Sequence, residues 1–117
     1  MADEINVTME IGGLWDAMLP PAYNQVFAGE VNLIRTLTHY AAYVVESDLE
    51  ITASASKAAG ASAEIILEAD GSHTPTFSED FTAWADNDEW DVTAGMKHVV
   101  CFYNYGDYIF YNIKKLE

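Results

Sequence analysis

Three histidines, one cysteine and a short run of carboxylates are the side chains best able to do chemistry, and their spacing limits what that chemistry can be. His39, His73 and His98 stand far apart and share no metal-ligand interval with Cys101. A zinc site needs clustered nitrogen and sulfur donors, so neither a transition metal nor any other cofactor is expected. His73 lies in a polar turn and reads as solvated, whereas His98 is flanked by strand residues and reads as satisfied in or beside a sheet. Cys101 sits within Val99-Val100-Cys101-Phe102-Tyr103, where a thiol behaves as a small hydrophobe and nothing nearby would activate it. A single cysteine also excludes an intrachain disulfide.

The densest acidic run is Asp86-Asn87-Asp88-Glu89-Trp90-Asp91. Alternating oxygen donors on a loop suit a hard cation such as calcium. However, Trp90 stands where a ligand is needed, no glycine follows at the turn position and no acidic residue closes the loop. A solvated acidic loop is therefore the expectation. A glycosidase-type carboxylate pair cannot be singled out, because separation in space decides that mechanism. There is no Gly-rich phosphate loop, nucleophile elbow or recognisable Ser-His-Asp context. The chain reads as non-enzymatic.

Aromatic side chains are the remaining candidates for binding. Trp84 and Trp90 flank the acidic loop, and Tyr105 and Tyr108 sit at a turn. Exposed rings beside carboxylates would form a sugar-binding face, since a flat ring stacks on a pyranose while acids accept its hydroxyls. The alternative is that these rings fill a core or a subunit contact.

The elements that must position these residues are strands. Apolar and polar residues alternate, or form short β-branched and aromatic runs, over Glu4 to Ile11, Val31 to Thr38, Tyr40 to Glu46 and Leu49 to Ser54. The same holds for Ala63 to Ala69, Lys97 to Asn104 and Asp107 to Ile113. In Leu49-Glu50-Ile51-Thr52-Ala53 and Ala63-Glu64-Ile65-Ile66-Leu67-Glu68, the odd positions should face inward, with Glu64 and Glu68 on the opposite face. Asn104-Tyr105-Gly106-Asp107 reads as a tight hairpin, Asp70-Gly71-Ser72 as a turn, and Ala53 to Ala63 as a loop with at most one helical turn. The expected fold is all-β: an antiparallel β-sandwich, with a jelly roll or small barrel as variants.

The 117 residues allow one core, and their 50% apolar content is enough to fill it. Residues 1–27 read as an N-terminal strand and an apolar arm, 28–115 as the sandwich, and Leu116-Glu117 as a vector-derived scar. The arm contains Leu14, Trp15, Met18, Leu19 and Pro20-Pro21, and the double proline forbids a regular helix or central strand there. Its apolar residues pack either on their own domain or against another subunit.

Nineteen carboxylates face five cations, for a net charge of −14. That balance disfavours nucleic acid and favours solubility and repulsion between copies. No stretch approaches the roughly 20 apolar residues that cross a bilayer, and Met1-Ala2-Asp3-Glu4 lacks signal-peptide order.

From about Phe27 to Ile113 the order of features resembles a β-rich domain of tailed-bacteriophage structural proteins, of the tail-fibre, baseplate or head-fibre type. The resemblance rests on Leu49-Glu50-Ile51-Thr52, Ala63-Glu64-Ile65-Ile66-Leu67 and Asp70-Gly71-Ser72-His73-Thr74-Pro75-Thr76-Phe77. Phe81 and Trp84 follow, then Val92-Thr93-Ala94-Gly95-Met96-Lys97-His98-Val99-Val100-Cys101-Phe102, and last the strands around Tyr105-Gly106-Asp107-Tyr108-Ile109. These are turn and core motifs and include no active-site residue. The resemblance implies a virion structural protein, made in the bacterial cytoplasm and serving assembly or host attachment. It also implies self-association, with a trimer favoured, and contacts with other virion proteins or a host-surface glycan. The rival expectation is a bacterial carbohydrate-binding module using the face near Trp84 and Trp90.

Overall fold

The computed structural model describes residues 25–116. The expected strand at Glu4 to Ile11 and the arm residues Leu14, Trp15, Met18 and Leu19 lie outside the described residues. Within them the fold is all-β, with nine strands and no helix. The strands are β1 Glu30–Leu33, β2 Thr38–His39, β3 Tyr43–Val45, β4 Glu50–Lys57 and β5 Ser62–Ala69, followed by β6 Thr76–Phe77, β7 Thr82–Ala83, β8 Lys97–Asn104 and β9 Ile109–Lys115.

A smaller sheet has the order β1-β4-β6, and a larger one the order β2-β5-β8-β9-β7, with β3 also pairing with β5. The expectation of antiparallel pairing is met only at β5–β8 and β8–β9. The other five pairings, β1–β4, β2–β5, β3–β5, β4–β6 and β7–β9, are parallel. From β1 to β6 the chain passes back and forth between the sheets, so β4, β5 and β6 each lie parallel to a strand already placed, whereas β7 pairs with the later β9. Parallel neighbours need a crossover connection; the opposite sheet supplies it for β1–β4, β2–β5, β3–β5 and β4–β6, and along the chain β8 lies between β7 and β9. The result is a solenoid-like winding. The β8–β9 hairpin is inserted into it between β5 and β7. Alternation of apolar and polar residues reports which face is buried but not which way the neighbouring strand runs. The expectation of an antiparallel sandwich therefore asked more of the alternation than it carries.

The inward positions follow the alternation closely. On β5, Ala63, Ile65, Leu67 and Ala69 are buried, and on β8, Val100 and Phe102 have no exposed surface. Ala63, Ile65, Leu67, Val100 and Phe102 meet Val31 and Leu33 of β1, Ile51 of β4, and Ile109 and Ile113 of β9 in one core. Each buried Val, Leu, Ile or Phe among them contributes about 1.5–3 kcal/mol by leaving water. Phe77 of β6 stacks on Tyr111 of β9 with centroids 3.7 Å apart and planes at 10°, joining the two sheets. Phe27, just before β1, is also buried in this core.

Two local features position the rest. The expected loop from Ala53 is instead strand as far as Lys57, because Ser54 makes a bulge possible. The register slips between Val31 and Leu33, and the buried Ser54 hydroxyl accepts from the Leu33 amide at 3.1 Å and donates to the Ser56 carbonyl at 2.7 Å. The hairpin after β8 forms as expected. Gly106 has φ of 96°, which a residue with a Cβ adopts only with strain, and its amide donates to Asn104 Oδ1 at 2.8 Å.

Candidate functional site

Because the even-numbered residues of β8 face the core, its odd-numbered residues face outward, and strand register orders them into rows across the larger sheet. One row is Ser62, Tyr103, Phe110; the next is Glu64, Cys101, Asn112; the third is Ile66, Val99, Lys114. The outer face is therefore not uniform. It has an aromatic end, a polar middle and a mixed far side.

The aromatic end is the candidate site. Phe110 is its hub, with Trp84 edge-on at 5.2 Å, Tyr105 at 5.5 Å and Tyr108 at 5.9 Å between centroids. Tyr103 bridges Trp84 at 6.2 Å and Tyr105 at 6.4 Å. Tyr105 and Tyr108 are about 60% exposed and Trp84 39%, so the rings form a surface patch and not a core. A shallow groove runs beside it, bounded by Tyr103, Tyr105, Ser62, Gly60 and Thr36. The hairpin turn presents Tyr105 and Tyr108, and pairing of β7 with β9 sets Trp84 against Phe110.

Three of the four binding residues expected from sequence, Trp84, Tyr105 and Tyr108, thus come together. Trp90 does not join them. Its indole Nε1 donates to the His73 carbonyl at 3.1 Å, and its ring stacks on His98 at 4.0 Å and 17°. Tyr103 and Phe110 complete the patch and were not singled out from sequence. The signal was present, since Phe102 facing inward requires Tyr103 to face outward.

Cys101 faces the outer surface, half-buried, and not the core expected for it. Burial pushes its thiol above the ordinary value, with Tyr103 opposing and the Glu64 carboxylate, 3.8 Å from Sγ, adding to the rise. His39 Nδ1 lies 3.1 Å from the other Glu64 oxygen, so a carboxylate, not the thiol, takes the imidazole. This arrangement favours a protonated thiol rather than a nucleophilic thiolate.

The acidic loop is tied to the edge of the larger sheet. Asp86 accepts from Lys114, Asp88 Oδ2 accepts from the Lys115 amide at 2.7 Å, and Asp91 Oδ2 from Lys115 Nζ at 3.3 Å. These carboxylates satisfy β9 rather than converge on one another. Among the described residues no group of three His, Cys, Asp or Glu side chains is arranged to hold a metal. His73 is not simply solvated: its Nδ1 lies 2.7 Å from Asp70 Oδ2. The Ser72 amide, the His73 side chain and the His73 amide together hold the Asp70 carboxyl down to about 2.

Comparison with known proteins found no match to any protein-family model, to any curated protein or to any solved structure.

Proposed function

We propose that this chain is a non-enzymatic virion structural protein of a phage or prophage, serving assembly or host attachment through its aromatic end. The observation that carries the reading is the patch of Trp84, Tyr103, Tyr105, Tyr108 and Phe110, whose two most exposed rings project from a hairpin. Aromatic side chains of this kind are the residues that carry contact energy at recognition surfaces. The tailed-phage resemblance of the turn and core motifs supplies the virion context. Self-association, with three copies favoured, belongs to the same reading and rests on the apolar sequence Leu14, Trp15, Met18 and Leu19. The test is binding of the labelled protein to host cells, comparing wild type with Tyr105→Ala and Tyr108→Ala. Loss of binding in both variants, with melting temperature unchanged, supports attachment. Undiminished binding sinks it.

The exposed rings also favour a second reading, a bacterial carbohydrate-binding module, with its face at Trp84, Tyr105 and Tyr108 and without Trp90. Soluble oligosaccharides discriminate the two. A carbohydrate-binding module binds free polysaccharide fragments unrelated to the host surface measurably by calorimetry, whereas an assembly surface binds none and an attachment surface binds only glycan from its host.

A further inference from the structure

His98 is fully buried at the start of β8, directly beneath the segment that joins β7 to β8. Its Nε2 accepts a hydrogen bond from the Asp91 amide at 3.0 Å. A backbone amide can only donate, so Nε2 must be unprotonated and the ring proton sits on Nδ1. Nδ1 is itself buried with no partner of hydrogen-bond geometry, although the Leu67 carbonyl of β5 favours a proton there. The face of the ring carries Trp90. One neutral imidazole therefore holds two consecutive residues of the connecting segment, by its edge and by its face.

We propose that residues 88–93 are an acid-released latch, held closed by neutral His98 and opened when Nε2 takes up a proton. Protonation converts the acceptor into a donor and sets N–H against N–H at Asp91. That contact cannot persist, and among the described residues a buried imidazolium finds no other acceptor at Nε2. The groups facing the ring are Asp88 and Asp91 from the segment and Lys115 from β9, while β5 presents Leu67. The two carboxylates favour imidazolium and the lysine disfavours it. Burial is the largest influence and holds the ring below the ordinary histidine value. Release relieves that burial, because an opened latch exposes the imidazole to water.

The opened state titrates near an ordinary histidine, about 6.5, and the closed state lower, so the opened state binds more protons as pH falls below about 6.5. Closure is complete above that value and weakens steadily below it. Opening would also withdraw the Asp88 and Asp91 contacts from Lys115, baring the last residues of β9 as an open sheet edge.

Amide hydrogen exchange of the intact protein, corrected for intrinsic rates, tests this between pH 7.5 and 5. Protection at Asp91 should fall about tenfold per pH unit below about 6.5 until the closed-state pKa is reached, while Val100 of the same strand keeps its protection. In His98→Phe, which preserves a ring under Trp90 but cannot titrate, the Asp91 slope should vanish. Should that variant not fold, Asp91→Asn removes a carboxylate that favours imidazolium and should extend the slope to lower pH. A flat wild-type profile overturns the proposal. So does a slope that survives in His98→Phe, ends at the same pH in Asp91→Asn, or is shared equally by Val100.

Discussion

The Oδ1 atom of Asn87 lies 2.8 Å from the backbone nitrogen of Ile113 and accepts its hydrogen bond. The same oxygen accepts from Asn112 Nδ2 at 3.2 Å, and Asn87 Nδ2 donates to the Tyr111 carbonyl at 3.4 Å. One residue further on, the Asp88 amide donates to the Ile113 carbonyl at 2.9 Å. β7 pairs with β9 only at Phe110 and Tyr111, and beyond that point side chains of the acidic segment take over its role. An exposed strand edge is thereby covered without a further strand.

Asn87→Ala should therefore leave the Ile113 amide without its acceptor and lower stability by about 1–3 kcal/mol. Asn87→Asp, which keeps an acceptor at that position, should lose less. Urea unfolding followed by fluorescence reads both, as a fall in midpoint with an unchanged slope. Equal midpoints for wild type and Asn87→Ala would refute the edge-capping role.

Most of the strands were legible because burial on one face imposes alternation. Ile65 and Leu67 against Glu64 and Glu68 is such a case, and the inward and outward sides came out as expected. Strand direction was not legible, since β4 alternates similarly whether its neighbours β1 and β6 run parallel or antiparallel. The Ala53 to Ala63 segment misled because its strand character depends on a bulge fixed by Ser54, a contact 21 residues away from Leu33 in sequence. In the candidate site, Tyr105 and Tyr108 were visible from the turn that exposes them. Trp90 was misplaced because its partner, His98, looked like an unrelated strand residue.

Asp70 gives a pH prediction. Its carboxyl is held down to about 2, first by the Ser72 amide and then by His73. A depressed folded pKa means that this contribution is intact above the unfolded value of about 3.9 and is lost as pH falls towards the folded value. Asp70→Asn can still accept from the turn amides but carries no charge. The difference in melting temperature between wild type and Asp70→Asn should thus shrink between about pH 4 and about pH 2. A constant difference across that window would show that the carboxylate is not tied to the turn.

Cys101 should react slowly with thiol reagents at neutral pH, because burial and Glu64 both disfavour the thiolate. Glu64→Gln removes the carboxylate charge and should speed labelling, with the change largest near neutral pH, where thiolate is scarce. Labelling of the native protein is read by mass spectrometry against time. A Glu64→Gln rate equal to wild type would remove Glu64 from the control of this thiol.

Two phenylalanines on opposite faces of the β8–β9 hairpin report which face lies inward. Phe102 has no exposed surface and packs between Phe81, at 5.2 Å between centroids, and Phe77, at 6.1 Å. Phe110, on the facing strand, points the other way into the aromatic patch, paired in register with Tyr103. Both are phenylalanines on the same hairpin, so intrinsic strand preference cancels in comparing them. Phe102→Ala opens a cavity in the core and should cost about 3–5 kcal/mol. Phe110→Ala removes a partly buried ring outside the core and should cost clearly less, while loosening Trp84 and Tyr108. A one-residue slip in pairing would turn every side chain of the strand to the opposite face and invert this order. Thermal or urea unfolding of the two variants decides it: the larger loss at Phe102 fixes the inward face, and a larger loss at Phe110 would mean that the aromatic patch is the core.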